Sequence, residues 1–206
     1  FDQASKDTQA IVMRLAQDKA YLRELLFAVE HDPKMFKKAE RHHLLDRVEL
    51  YNADDRNFRV RLHVSTQNHL DRPHNHRFSF SSYIVRGSYR HTWNTLSSEM
   101  SDNLTVDDIV PLHITNETAG SCYTLHHSVV HTTYTTPDTV SIFLRGPAES
   151  NRSIIVDDLT GRVWWRHGQP DEDEARREKV EMNISEYRSI VQRMVELGLI
   201  DEEVFA

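Results

Sequence analysis

Two different spacings of apolar residues divide the chain into helical ends and a middle of short strands. From about Lys6 to Glu30, apolar side chains recur every three or four residues, which predicts an amphipathic helix. Asp32 and Pro33 interrupt this pattern, and a second short helix is predicted to run to about Arg41. We expect these helices to pack on the rest of the chain or on a neighbouring subunit.

Residues 44–169 instead show the two-residue alternation of β-strands. Between Phe58 and Val64, apolar residues alternate with Arg59, Arg61 and His63, which predicts half of a hairpin with one buried face. Many short strands without intervening helices indicate an antiparallel barrel or double-sheet roll. Further strands are predicted at 47–51, 74–86, 89–93, 122–125, 139–144, 153–156 and 162–165.

The segment 97–119 is polar, and its few apolar residues are predicted to be buried anchors: Val106, Ile109 and Leu112. Residues 170–174 have the composition of a charged, exposed linker. Beyond them, Asn183 and Glu186 have the spacing of a capping box at the start of a last helix. We therefore predict one domain with three parts: N-terminal helices (1–43), a β-barrel (44–169), and a linker with a C-terminal helix (170–206).

Composition narrows the class of protein. The 206 residues include 25 Lys and Arg against 32 Asp and Glu, a formal charge of −7, and no basic patch, which argues against nucleic-acid binding. The single cysteine, Cys122, excludes an internal disulfide and suits a reducing compartment, so we expect a cytoplasmic protein. No apolar run has membrane-spanning length and no signal peptide is visible, although a leader removed ahead of Phe1 is compatible with the sequence.

The clearest candidate chemistry is a pair of histidines, His74 and His76, separated by one residue. If they lie on a strand, both imidazoles point to the same face and converge on one point. A metal ion there needs a third ligand, for which His131 is the best candidate. The other histidines considered are expected to be structural or exposed: His63, His69, His91, His113, His127 and His167.

A competing constellation uses part of the same region. His69 and Asp71, together with the distant His131, have the histidine-x-carboxylate and histidine form of 2-oxoglutarate oxygenases. Those enzymes also use double-sheet rolls.

The histidine spacings resemble those of the cupin superfamily. Its first motif has two histidines separated by one residue and then a turn glycine, a frame that His74, His76 and Gly87 occupy. Its second motif has a glycine, a proline, a second glycine and a histidine. This chain has Gly120, His126, Ser128 and His131 at those four spacings.

Within cupins, residues 47–182 resemble the cysteine dioxygenase, or thiol dioxygenase, group of three-histidine iron enzymes. Phe58 precedes His74 by the separation of a matching phenylalanine, and the segments 87–93 and 137–145 resemble two strands of that group. The resemblance implies a mononuclear non-haem Fe(II) centre that reacts with O2. Other divalent metals such as Zn, Ni or Mn are compatible with three imidazoles.

The chain departs from that group at three positions near the expected site. Phe80 or Ser81 stands at the group's acid-or-cysteine position, so no carboxylate joins the metal there. On the later strand Ser141 matches, but Phe143 replaces a histidine and Arg145 replaces a tyrosine. A cysteine-tyrosine crosslink therefore cannot form, and a substrate other than free cysteine is expected.

Alternation places Ser141, Phe143 and Arg145 on one strand face, which the resemblance identifies as the pocket. A buried arginine is costly unless it meets an anion, so Arg145 is the first choice for an anion anchor, with an internal salt bridge as its alternative. Arg47 is the second choice. We predict catalytic roles for Arg145, Ser141 and Tyr134, and substrate contacts from Arg47, Arg145, Tyr83, Phe143 and Phe80.

These observations predict a metal-dependent cupin oxygenase that oxidises a small amino-acid-like or thiol carboxylate with O2. Its partners would be that small molecule and O2, with a homodimer compatible with the amphipathic ends and with neither nucleic acid nor membrane involved. Two alternatives remain: a non-oxidative metallo-cupin that acts as an isomerase or lyase, and a cupin that binds a small molecule without turnover.

Overall fold

The computed structural model describes residues 1–41, 45–53, 57–157, 159–167 and 181–201. The predicted linker at 170–174 lies outside these ranges. The fold is mainly β, with antiparallel sheets and α-helices at both ends, as the sequence predicts. The helices are α1 (Asp2–Gln17), α2 (Lys19–His31), α3 (Pro33–Phe36) and α4 (Ile184–Glu196).

Eleven strands are formed by the described residues, together with a 3-10 helix at Val106–Asp108. They are β1 (Leu45–Ala53), β2 (Phe58–Ser65), β3 (His69–Leu70), β4 (Phe80–Arg86), β5 (Ser88–Leu96), β6 (Ile109–Thr118), β7 (Cys122–Leu125), β8 (Val130–Thr135), β9 (Val140–Arg145), β10 (Arg152–Asp157) and β11 (Arg162–His167). One sheet has the order β1-β2-β9-β4-β7 and a second has the order β3-β8-β5-β6. The strands β10 and β11 form the predicted hairpin.

The N-terminal region contains two long helices where one was predicted. Asp18 separates them because it leaves helical geometry (φ −105°, ψ 86°), and its carboxylate accepts a hydrogen bond from the Tyr21 backbone N–H at 2.9 Å. This is the usual arrangement of an N-cap. The second predicted helix is only one turn long and ends at Phe36 rather than near Arg41.

The helices cover one face of the five-stranded sheet. Buried side chains of α1, α2 and α4 form a single cluster with Val60, Leu62 and Ile142 from strands β2 and β9. The predicted capping box of α4 is confirmed, since Asn183 and Glu186 exchange two 3.0 Å hydrogen bonds. At about 25 cal/mol per Å² of buried apolar area, this layer is a main source of folding free energy.

The other face of this sheet faces the second sheet across the barrel interior. Tyr89 on β5 hydrogen-bonds Ser141 on β9 at 2.7 Å, and the ring centroids of Phe80 on β4 and His131 on β8 are 5.9 Å apart. The predicted single buried face of β2 is therefore wrong. Both faces are covered: the valines and leucine lie under the helices, while Arg59, Arg61 and His63 face the interior.

The prediction for residues 97–119 is also partly wrong. They contain β6, a ten-residue edge strand paired with β5 along its length. Residues 110–114 are exposed on both faces of the strand, Leu112 by 72%, so the predicted burial of Leu112 is wrong. Val106 and Ile109 do pack, half-buried, against a small cluster around Leu104.

The turn after β4 depends on Gly87. Its φ is +77°, a conformation that glycine adopts without strain, and a Cβ there would lie 2.8 Å from the Cα of Thr139. The glycine therefore lets β4 turn into β5 while the β8–β9 connection passes against it. This places β5, which contains His91, directly beside β8, which contains His131.

Candidate metal centre

His74, His76 and His131 lie together at one end of the barrel interior. Their candidate ligand atoms all lie within 4.8 Å of one another, and Nε2 of His76 is 2.9 Å from Nε2 of His131. Two imidazole nitrogens about 2.1 Å from one ion are about 3 Å apart when the angle between them is near 90°. The present spacing of these two atoms therefore suits a shared ion.

The backbone arrangement that joins the three histidines differs from the predicted one. His74 and His76 do not lie on a regular strand but in the segment between β3 and β4. His74 forms an isolated bridge to His131, with backbone hydrogen bonds of 3.0 and 2.8 Å, and a second bridge to Ile155 of β10. The segment is thus held between two strands, and this pairing brings His74 to the third histidine.

Asn75, between the two histidines, fixes the segment on its other side. Its side chain is buried, accepts from the Ile154 backbone N–H at 2.7 Å and donates to the His127 carbonyl at 3.0 Å. Sequence reasoning missed this residue. The only signal for it was its place between two candidate ligands, where it must point away from them.

Two of the three imidazoles are kept neutral by their surroundings. Burial, followed by the charge of neighbouring histidines, lowers the pKa of both His76 and His131 well below its usual range. Nδ1 of His74 lies 2.8 Å from the Arg72 carbonyl oxygen, which can only accept. The proton is therefore on Nδ1, and the lone pair of Nε2 is free for an ion.

His131 is oriented by a buried chain of side chains. Its Nδ1 lies 2.8 Å from Nε2 of His91, and Nδ1 of His91 lies 3.3 Å from a carboxylate oxygen of Glu117. Thr115 donates a short hydrogen bond to the same Glu117 oxygen. Burial alone would raise the pKa of Glu117, but the hydrogen bonds from His91 and Thr115 lower it, so the carboxylate stays ionised.

This chain selects one tautomer of His131. The Glu117 carboxylate 3.3 Å away favours the proton on Nδ1 of His91, and Nε2 of His91 then accepts from Nδ1 of His131. Nε2 of His131 is then left with its lone pair facing His76. His91, which was expected to be structural or exposed, is fully buried and lies against a candidate ligand. His91 is two residues from both Tyr89 and Trp93, so strand alternation puts the three side chains on one face of β5. This spacing could have identified His91 as an interior residue.

We expect His91→Ala to weaken metal binding about 10- to 100-fold, because residues that hydrogen-bond a ligating histidine have effects of that size. Metal dissociation constants measured by competition with a chromogenic chelator check this. His113→Ala, at an exposed position on β6, is the matched control and should leave the constant unchanged. An unchanged constant in a folded His91→Ala protein would contradict the role.

The competing histidine-carboxylate site is not assembled. Nε2 of His69 lies 3.0 Å from Asp71, so these two side chains pair with each other. Within the described ranges, the groups of three or more possible metal ligands are His74 with His76 and His131, and His126 with His127 and Glu149. Neither group contains His69 or Asp71.

Aromatic side chains form the wall beside the three histidines. The ring centroid of Phe80, one of the two residues expected at the acid-or-cysteine position, lies 4.8 Å from that of His76. Phe143 lies 4.5 Å from Phe80 and stacks on His63 at 4.7 Å. Both phenylalanines predicted to contact substrate therefore lie next to the candidate ligands.

The interior beyond Phe143 is lined by charged side chains. Arg61 and Arg59 lie 2.8 and 3.5 Å from opposite oxygens of Glu49, which is fully buried. Arg47, the second predicted anion anchor, is 3.3 Å from Glu40. Sequence reasoning missed Arg59, Arg61 and Glu49 because their alternation with apolar residues resembled that of a solvated face.

Arg145 differs from these arginines in having no ion pair with any residue that the structure describes. Its guanidinium lies over the ring of Phe78 at 4.6 Å, and its Nε is buried without a hydrogen-bond partner. Burial, and then the positive charges of Arg59 and Arg61, lower the pKa of Arg145 to about 10. It remains a cation at neutral pH, and an anion beside it would offset the cost of burial.

Three other predicted site residues lie elsewhere or have an internal partner. Tyr83 packs against the cluster under the helices, on the opposite face of β4 from Phe80. Tyr134 is 39% exposed on the outer face of β8 and hydrogen-bonds Asn68 at 3.4 Å. Neither is brought to the histidines, because strand alternation turns both side chains away. Ser141 faces the interior and hydrogen-bonds Tyr89.

No protein-family model matches the chain. No curated protein matches it. Among solved structures, it is similar to KdgF from Halomonas sp. (16% identity, TM-score 0.39, covering 53% of this chain and 88% of that one). It is also similar to an RmlC-like cupin from Ralstonia eutropha (13% identity, TM-score 0.41, covering 75% of this chain and 74% of that one).

A third similar structure is a hydroquinone 1,2-dioxygenase in complex with Cd2+ and 4-hydroxybenzonitrile (11% identity, TM-score 0.39, covering 60% of this chain and 72% of that one). Because the sequence identities and TM-scores are this low, the function has to be argued from the residues of this chain. The helices in the described part of the chain are all too short or too polar to cross a membrane.

Proposed function

We propose that this chain is a metalloenzyme of the cupin type, a mononuclear non-haem Fe(II) oxygenase that acts on a small carboxylate-bearing substrate. The observation that carries the proposal is the convergence of three imidazoles, two of them with lowered pKa values, beside an aromatic wall. Three neutral imidazoles fit a divalent first-row metal and add no negative charge to it. A bound Fe(II) ion would make the site able to react with O2.

The residues of the chain favour an anionic substrate. Arg145 is a half-buried cation without a carboxylate partner among the described residues; its Nε is buried without a hydrogen-bond partner, and Arg59 and Arg61 add positive charge beside it. A substrate carboxylate would form charge-assisted hydrogen bonds with it. Phe78, which contacts both Arg145 and the His76 ring, links this anchor to the metal site.

An anaerobic titration of the Fe(II) protein, with nitric oxide as a substitute for O2, tests both parts. About one iron per chain in the His74, His76 and His131 site, with a nitrosyl signal altered by small amino acids or thiol carboxylates, is the expected result. Methyl esters of the same compounds should be much weaker. Activity with Zn(II), or without O2, would instead favour an isomerase or lyase. Ligand binding without product under any metal would indicate a binding protein.

Replacing Arg145 tests the anion anchor separately from the metal site. Arg145→Gln is expected to raise the dissociation constant for the effective carboxylate about 10- to 100-fold, since a hydrogen bond to a charged group contributes about 1.5–3 kcal/mol. Iron content should not change. Arg90→Gln, at an exposed position on β5, is the matched control. Equal binding by Arg145→Gln and the control would reject Arg145 as the anchor while leaving the metal site unaffected.

A further inference from the structure

A second cluster of metal-binding side chains lies outside the site described above. His126 and His127 belong to the connection between β7 and β8, and Glu149 follows β9. Their candidate ligand atoms all lie within 4.8 Å of one another. Nε2 of His127 is 3.8 Å from Oε2 of Glu149, and the two imidazole centroids are 4.4 Å apart.

Two serines orient two of these side chains: Ser79 hydrogen-bonds Glu149, and Ser128 hydrogen-bonds His126. Ser79 donates to Oε1 of Glu149 from its hydroxyl at 2.5 Å and from its backbone N–H at 3.3 Å. Oε2 is then the oxygen that faces His127. Nδ1 of His126 lies 2.8 Å from the Ser128 hydroxyl and accepts a 3.3 Å hydrogen bond from the Ser128 backbone N–H, and these two contacts fix the orientation of the ring.

The hydrogen bonds from Ser79 to Glu149 match the outer shell of a metal site, in which ligating carboxylates are themselves hydrogen-bonded. Ligands about 2.1 Å from a tetrahedral ion are about 3.4 Å apart, so the 3.8 Å between His127 and Glu149 requires only a small closure.

We propose that His126, His127 and Glu149 form a second site for a divalent transition metal of the Zn2+ class. Two imidazoles and one carboxylate are a common donor set for this ion, and the partial exposure of all three side chains leaves room for water as a further ligand. The site would join two connections at the edge of the barrel.

This second site is linked through the backbone to the three-histidine site. Asn75 donates to the carbonyl of His127, and Asn75 lies between His74 and His76 in the chain. Ser79 also accepts a hydrogen bond from the His127 backbone N–H at 3.2 Å. An ion at the second site would therefore fix the segment that leads from His76 to β4.

Equilibrium dialysis of the metal-free protein against Zn2+, followed by elemental analysis, tests the proposal. We expect two equivalents in the wild type, one in His127→Ala, one in His76→Ala, and none in the double variant. His113→Ala, which alters an exposed histidine outside both clusters, is the control and should retain two. Glu149→Gln should weaken the second equivalent at least about tenfold, because it removes the charged ligand.

The variants keep the two sites distinguishable. His127→Ala and Glu149→Gln change half-buried or exposed side chains, so circular dichroism should report an unchanged fold. If both variants bind Zn2+ as the wild type does, the second site is rejected. If His76→Ala instead loses nothing while His127→Ala loses one equivalent, the second site stands and the three-histidine site fails.

Discussion

Replacing His74, His76 or His131 with Ala is expected to abolish Fe(II) binding and O2-dependent turnover together. Each residue supplies one of the three converging nitrogens, and the two that remain cannot hold the ion with the same geometry. The loss should exceed the effect of about 10- to 100-fold that is typical of changing a residue that hydrogen-bonds a ligand. Iron per chain after anaerobic loading and gel filtration is the measurement, combined with the nitrosyl signal.

The experiment is best made in a His127→Ala background, so that the proposed second site cannot supply a replacement ion. His113→Ala in the same background controls for the removal of a histidine. Stoichiometric iron in all three single variants would refute the three-histidine site. Loss of iron in only one variant would show that the replaced histidine is a ligand and that the other two are not required.

Replacing Glu49 with Gln should cause the largest loss of stability among changes in the barrel interior. The carboxylate of Glu49 is fully buried and lies between Arg61 at 2.8 Å and Arg59 at 3.5 Å. Removing one partner from a buried ionic group leaves the others desolvated without compensation, which typically costs about 3–5 kcal/mol. The free energy of unfolding in urea is the quantity to measure.

Glu24→Gln is the matched control, since Glu24 is exposed on α2. A change there is expected to stay within about 0.5 kcal/mol. If the two variants have the same unfolding free energy, Glu49 does not neutralise the interior arginines. The reason for assigning Arg145 to a substrate anion would then weaken as well, because the interior would tolerate unpaired charge.

Local sequence patterns were sufficient for most elements of the fold. The three-residue spacing of apolar side chains located the terminal helices, and the Asn183 and Glu186 pair marked the start of α4. Two-residue alternation located most of the strands and, with their number, the antiparallel double-sheet class. These patterns succeed because helix and strand periods are properties of the backbone itself.

The sequence also predicted that the three histidines lie together, but the backbone arrangement that brings them together differs from the predicted strand. The expected strand from His74 to His76 does not form, and pairing of His74 with both His131 and Ile155 replaces it. Spacing identified these residues because each must reach a common point. The partners that orient them could not be identified, since His91 and Glu117 meet His131 only through the pairing of β5 with β6 and β8.

The character of the interior was decided by tertiary structure alone. In the sequence, Arg59 and Arg61 alternate with apolar residues as on any strand with one solvated face. Only the helices reveal that the apolar face packs outward and that the arginines point inward, toward Glu49 and Arg145. Alternation states which side chains share a face, but which face meets water depends on what packs against the sheet, and that is a property of the whole chain.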